Sequence, residues 1–212
     1  MKSSSPSTAS SVVRSPAQAR RAQILEAAAA FFAEKGYQRA TVKEIAARAG
    51  VAPGTIYLYF DGKRDLLMTI ADQIIGRAWN ETQAQMASLE KEAYIAALLR
   101  NIFDFVRENR AFLQALIPEV WTDDELQDQF FNQILSPLFE MGAGYLEEQI
   151  AAGRARPCEV EVVIPAIAGS LIMLPLFHAL APDQFLVGIT EDEMVSELTQ
   201  LYLDGLRPSS GE

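Results

Sequence analysis

The sequence predicts an all-α fold. Three observations carry that prediction. Apolar residues recur at three- and four-residue spacing from Ala17 onward, and no segment shows strand alternation or hairpin turn chemistry. Gly36, Gly50, Gly62 and Gly153 fall between the periodic stretches. With 212 residues, 50% of them hydrophobic, the chain has enough apolar material for one sizeable domain or two small ones.

Residues 1–16 are Ser-rich, carry two prolines and lack periodicity, so they read as a disordered tail. No apolar run follows the basic start, so no secretory signal is expected and the cytoplasm is the expected location. In the first helix Ile24, Leu25, Ala28, Phe31 and Phe32 form one apolar stripe, with Arg20, Arg21, Glu34 and Lys35 off it; Gly36 ends it. Thr41 to Glu44 is a capping box that opens a short second helix, with Val42, Ile45, Ala46 and Ala49 inward. Gly50-Val51 breaks this helix. Pro53 suits the first turn of a third helix, because its missing N–H would be unpaired there anyway, and Ile56 and Phe60 face the core.

Asp61-Gly62 precedes a long helix from near Lys63 with Leu66, Leu67, Ile70, Ile74 and Ile75 inward. The pattern then gives a helix from beyond Lys91 to about Asn109 and a short one from Arg110 to Ile117, stopped by Pro118. A long helix follows from about Asp123 to Ala152, bent or interrupted at Pro137. Asp123, Asp124, Glu125 and Asp128 suit the start of that helix. After a loop at Gly153–Pro157 come helices at roughly 159–180 and 191–206, joined through Pro182-Asp183. The expected organisation is a tail at 1–16, a three-helix head at 17–62 and a helical body at 63–212.

The net charge of −10 conceals a split. Residues 1–64 hold 10 basic and 4 acidic residues, and the remainder holds 8 basic and 24 acidic ones. Only the head is suited to face a polyanion. One cysteine, Cys158, and one histidine, His178, exclude an internal disulfide and a two-histidine metal site, so no metal or cofactor is expected. No Gly-rich phosphate loop, nucleophile elbow or carboxylate–histidine repeat is present, so no enzyme is expected.

Three short helices with a Gly turn between the second and third, in a basic segment, make a helix-turn-helix pattern. The outer face of the third carries Thr55, Tyr57 and Tyr59, with Gly54 small enough for close backbone approach. The run Ile24-Leu25-x-Ala27-Ala28-x-x-Phe31-Phe32, Gly36-Tyr37, Thr41-Val42-x-x-Ile45-Ala46, Ala49-Gly50-Val51, Gly54-Thr55-Ile56-Tyr57-x-Tyr59-Phe60 and Lys63-x-x-Leu66 closely resembles the N-terminal domain of the TetR family of transcriptional regulators, over about 17–67.

The resemblance implies a three-helix DNA-binding head and a C-terminal ligand-binding and dimerisation domain. It further implies a homodimeric, ligand-responsive repressor on a palindromic operator. By position, Tyr37, Thr41, Tyr59 and Lys63 would clamp phosphates, while Lys43, Thr55 and Tyr57 approach bases. Ala52-Pro53 departs from relatives with polar or basic residues there, so Arg14, Arg20 and Arg21 are expected to assist as a minor-groove arm. The body implies a cavity for a small apolar or aromatic effector, with Phe105, Phe112, Leu116, Trp121, Phe131, Phe139, Met173, Phe177 and His178 as candidate lining. The last two helices imply a four-helix dimer contact through Ile167, Ser170, Leu171, Leu174, Val195, Leu198 and Tyr202.

Residues 162–181 match a membrane span in length and apolarity. Pro165, Pro175, His178 and the acidic flanks Glu159, Glu161 and Asp183 favour a buried helix instead, with no membrane partner. The rival reading is an apolar-ligand carrier or scaffold whose basic head binds a protein or a lipid surface.

Overall fold

A computed structural model describes residues 15–86, 91–181 and 184–208. Among them the chain forms ten α-helices and no strand. Helix α1 (Pro16–Lys35) begins earlier than the apolar stripe indicates. The Ser15 hydroxyl accepts from the Gln18 amide, the Gln18 side chain returns to the Ser15 N–H, and Pro16 fills the first turn. Gly36, at φ 77°, ends it in a conformation that a side chain would strain. Helix α2 (Val42–Arg48) carries the expected Thr41–Glu44 capping box.

Helix α3 (Pro53–Ile56) is shorter than expected, at one α-turn. The chain then tightens: Leu58 N–H donates to the Thr55 carbonyl and Tyr59 N–H to Ile56, at 3.2 and 3.0 Å. Burial of Ile56 and Phe60, at 0% and 2% exposure, fixes both ends of this piece.

Helix α4 (Lys63–Met86) and α5 (Lys91–Glu108) follow the expected pattern. Helix α6 (Arg110–Thr122) does not stop at Pro118 but runs through it. The carbonyl left without its helical donor belongs to Gln114, which is exposed and open to water, while buried Leu113, Leu116 and Glu119 anchor the helix on both sides. The single helix expected over 123–152 is divided into α7 (Asp124–Phe130), a π-turn at Phe131–Leu135 and α8 (Ser136–Ala151). The wide turn lies just before Pro137 and gives its ring the room that an α-turn would not. Helices α9 (Val160–Leu180) and α10 (Glu191–Gly205) complete the chain.

Packing joins the parts. One apolar cluster runs from α1–α4 into Phe112, Ala115 and Leu116 of α6, Leu126 of α7 and Ile134. The division expected at residue 62 therefore falls inside a continuous core. The body is assembled differently, from three smaller clusters. One centres on Leu99, Phe103, Leu171, Met194 and Val195, one on Val106, Leu113 and Leu176, and one on Leu146, Ala155 and Val160. Of the expected tail, residues 1–14 lie outside the described residues, as does Pro182-Asp183, whereas Ser15 and Pro16 start α1.

Candidate nucleic-acid interface and effector region

In the head, the Gln23 amide donates to the Ala49 carbonyl at 2.7 Å, and Arg48 meets both oxygens of Glu34 at 2.7 and 2.6 Å. These bonds tie α2 and the turn after it to α1, so α3 is held out from a braced pair. Tyr37 and Lys63 form one unit. The Lys63 ammonium lies 4.1 Å from the Tyr37 ring centroid and donates to the Tyr37 carbonyl at 3.0 Å. Burial holds the Tyr37 phenol above its usual range and the Lys63 ammonium below its own. Lys63 thus braces the start of α4 against Tyr37.

The Thr41 hydroxyl is engaged by Glu44, and Lys43 is exposed on α2. Thr55 and Tyr59 are half-buried, whereas Tyr57 is exposed. Leu58, which the sequence pattern did not single out, is 79% exposed beside it. Arg20 and Arg21 need correction as arm residues: both lie within α1, because the Ser15 cap starts that helix ahead of them. Arg20 bonds Gln23, and the Arg21 guanidinium rests 4.9 Å over the Phe60 ring. Arg14 lies outside the described residues.

Gly54 has no role within the chain that requires glycine. Its φ is not positive, and a methyl built there meets nothing within 4 Å. The expected close approach of a duplex would give the missing side chain a use. Gly54→Ala is expected to stabilise the fold by about 0.5–1 kcal/mol, by analogy with helix-interior glycines, while weakening operator binding several-fold. Thermal melting and gel shift on one preparation measure the two effects. Unchanged DNA affinity would remove Gly54 from the contact surface.

The expected effector residues do not form one site. Phe112 and Leu116 belong to the core shared with the head, whereas Phe105 and Met173 pack together around Val106, Leu113 and Leu176. Trp121, Phe131 and Phe177 are corrections: they are 76%, 49% and 45% exposed. Trp121 sits in the last turn of α6, Phe131 meets Phe139 edge-on, and Phe177 meets Phe185 in the same manner. His178 is half-buried, with its Nδ1 enclosed and unpartnered. Two indentations in the surface lie elsewhere. One of about 150 Å³ is lined by Arg100, Phe103, Asp104, Glu191, Asp192 and Val195, and an open groove of about 700 Å³ runs along Asp72–Glu81 of α4.

The expected dimer residues also need correction. Leu171 and Val195 are buried within the chain, and Ile167, Leu174, Leu198 and Tyr202 pack around them against α5. The Ser170 hydroxyl and the Tyr202 phenol are 2.6 Å apart, and burial raises the Tyr202 pKa. The apolar surface left over is on the other side of α9, where Val162, Ile172 and Leu180 are 67%, 41% and 40% exposed. Only 22% of the most apolar 18-residue stretch of α9 is buried in the chain. Both helices form as expected, while the residues named on them pack within the chain.

Two polar contacts far apart in sequence join α6 and α7 to the head and to the start of α4. The Gln38 amide donates to Glu119, which is 8% exposed on α6. Arg64, in the first turn of α4, donates to Asp123 at 2.9 Å and to Glu125. Asp123 also caps α7 by accepting from the Leu126 amide; that bond first, and Arg64 second, hold its carboxyl below the usual range.

Residues 24–70 match the model of the bacterial regulatory proteins, tetR family. The chain is 30% identical over 138 residues to the fatty acid metabolism regulator protein of Bacillus subtilis, covering 63% of this chain and 70% of that one. The fold is similar to that of the fatty acid degradation regulator FadR from Bacillus halodurans, with TM-score 0.72, 26% identity, and 92% and 99% of the two chains covered. It is also similar to that of FadR from Bacillus subtilis solved in complex with stearoyl-CoA, with TM-score 0.73, 23% identity, and 88% and 99% covered.

Proposed function

Since the chain belongs to the tetR family of bacterial regulatory proteins, we propose that it is a homodimeric repressor of fatty-acid metabolism genes, released from a palindromic operator by long-chain acyl-CoA of the kind bound in the similar Bacillus subtilis FadR. It is a DNA-binding transcriptional regulator, which disfavours the carrier or scaffold reading. It acts in the cytoplasm, where the chromosome is. Each protomer presents α3 and the turn after it to one major groove, with Tyr57 and Thr55 at the bases. Tyr59, Thr41 and Lys43 engage nearby phosphates and edges. The acidic body repels the duplex and leaves contact to the basic head.

The observation that carries the effector reading is the 30% identity to a fatty acid metabolism regulator over 70% of that protein's length. The body adds physical support, because its apolar side chains form three small clusters, two of them bridged by half-buried Ile102. A long, narrow acyl chain can enter the seams between such clusters by parting side chains, whereas a single packed core would have to be opened. Phe105, Met173 and Phe139 lie along those seams in this proposal.

A gel shift with DNA upstream of its own gene tests the reading. Palmitoyl-CoA or stearoyl-CoA, kept below the micelle threshold, is expected to release the DNA. Acetyl-CoA and free CoA are not. A complex indifferent to acyl chain length, or released by CoA alone, would overturn the proposal.

A further inference from the structure

From Val51 to Gly62 the chain contains no lysine, arginine, asparagine, glutamine or histidine. The piece that enters the groove therefore lacks every side chain that reads guanine or adenine by paired hydrogen bonds. Apart from the Tyr57 phenol and Asp61, what it presents outward is apolar. Gly54, Tyr57 and Leu58 stand at i, i+3 and i+4, on one side of α3 and its following turn, beside exposed Ala52 and Pro53. Leu58 is the most exposed large apolar side chain among the described residues, at 79%. Its backbone is held: its N–H is bonded to Thr55, and buried Ile56 and Phe60 flank it.

We propose that Leu58 reads the 5-methyl group of thymine in the major groove, so that each operator half-site carries thymine at the base pair it meets. Thymine alone among the four bases shows an apolar group on that edge. A leucine pressed against any other edge would cover a donor or acceptor without pairing it, which disfavours the wrong base as well as favouring the right one. The glycine at position 54 lets the backbone come near enough for a short side chain to reach. Affinity comes from the basic head, and specificity at this position from a methyl contact. The inference rests on the DNA-binding function and is independent of the effector.

The test uses full-length protein. Its operator is first enriched from random duplexes, and then each thymine in turn is replaced by deoxyuridine, which removes the methyl and leaves the hydrogen-bonding edge intact. At one position per half-site the parent is expected to bind about fourfold more weakly, and about fifteenfold when both half-sites are changed. Leu58→Ala, at an exposed position that leaves the fold intact by circular dichroism, is expected to lose a similar amount and to treat thymine and deoxyuridine alike. Cytosine at that position is expected to bind poorly and to regain affinity when 5-methylated. Equal binding of thymine and deoxyuridine duplexes by the parent, or undiminished discrimination by Leu58→Ala, would overturn the proposal. Enrichment of no duplex at all would overturn DNA recognition itself, which is a separate failure.

Discussion

Ile172→Glu is expected to give a folded monomer that binds the operator at least about a hundredfold more weakly than the parent. Ile172 lies on the side of α9 turned away from α5 and α10, with Val162 and Leu180 on the same helix and Ala166 and Gly169 exposed between them. Within one protomer the new carboxylate meets water, so the helical content is expected to hold. Between two protomers it would be desolvated without a partner, a cost of several kcal/mol. Loss of the dimer converts two linked half-site contacts into two independent ones, which forfeits an avidity of about 10²–10⁴. Sedimentation gives the mass and gel shift the affinity; Ile172→Ala serves as the control that removes the side chain without adding charge. A variant that remains dimeric at low concentration would move the interface off this face. Fractionation of the parent with membranes would instead assign the uncovered surface of α9 to lipid.

Helix α9 shows where sequence reading reaches its limit. In the head, period and punctuation suffice because each helix is apolar on one side only: the stripe of α1 and the capping box of α2 fix which residues turn inward. Helix α9 is apolar on nearly every side, so periodicity cannot separate the side that meets its own chain from the side that meets a copy. Small residues then mislead. Ser170 looks suited to close helix approach, yet its hydroxyl is spent on Tyr202 inside the protomer. Trp121 misleads in another way, since residue type favours a buried lining but its place in the last turn of α6 exposes it. Prolines were read correctly as disturbances and incorrectly as stops, because the effect at Pro118 depends on whether Gln114 can reach water. The Lys63–Tyr37 unit and the Arg64 contacts join residues 26 to 61 positions apart, and no local pattern encodes them.

Those Arg64 contacts lead to the second large effect: Arg64→Met is expected to leave a regulator that binds its operator but responds weakly to acyl-CoA. An effector shifts DNA affinity only through contacts that differ between the two forms of the protein. Arg64 sits in the first turn of α4, directly after the head, and its two partners flank the junction of α6 and α7 in the body. On the proposed acyl-CoA reading, movement of that junction would pull on the base of the head through this guanidinium. The Gln38–Glu119 bond is a second connection from α6, and the apolar packing of α6 on α1 is a third.

Both carboxylates at Arg64 are solvent-accessible, so the ion pairs themselves add little stability, and their value lies in direction. Parent protein is expected to show an effector-induced change in operator Kd within the usual range for coupled sites, about 5–150-fold, and Arg64→Met a change of only a few-fold. Arg64→Met with Gln38→Leu is expected to abolish it. Coupling is reciprocal, so the loss must appear equally in acyl-CoA affinity measured with and without operator DNA. That symmetry separates a broken connection from a lost phosphate contact, which would lower DNA affinity by the same factor whether or not effector is bound. If the ratio of the two operator affinities survives Arg64→Met unchanged, the signal travels through the Gln38–Glu119 bond and the apolar contact of α6 with α1 instead.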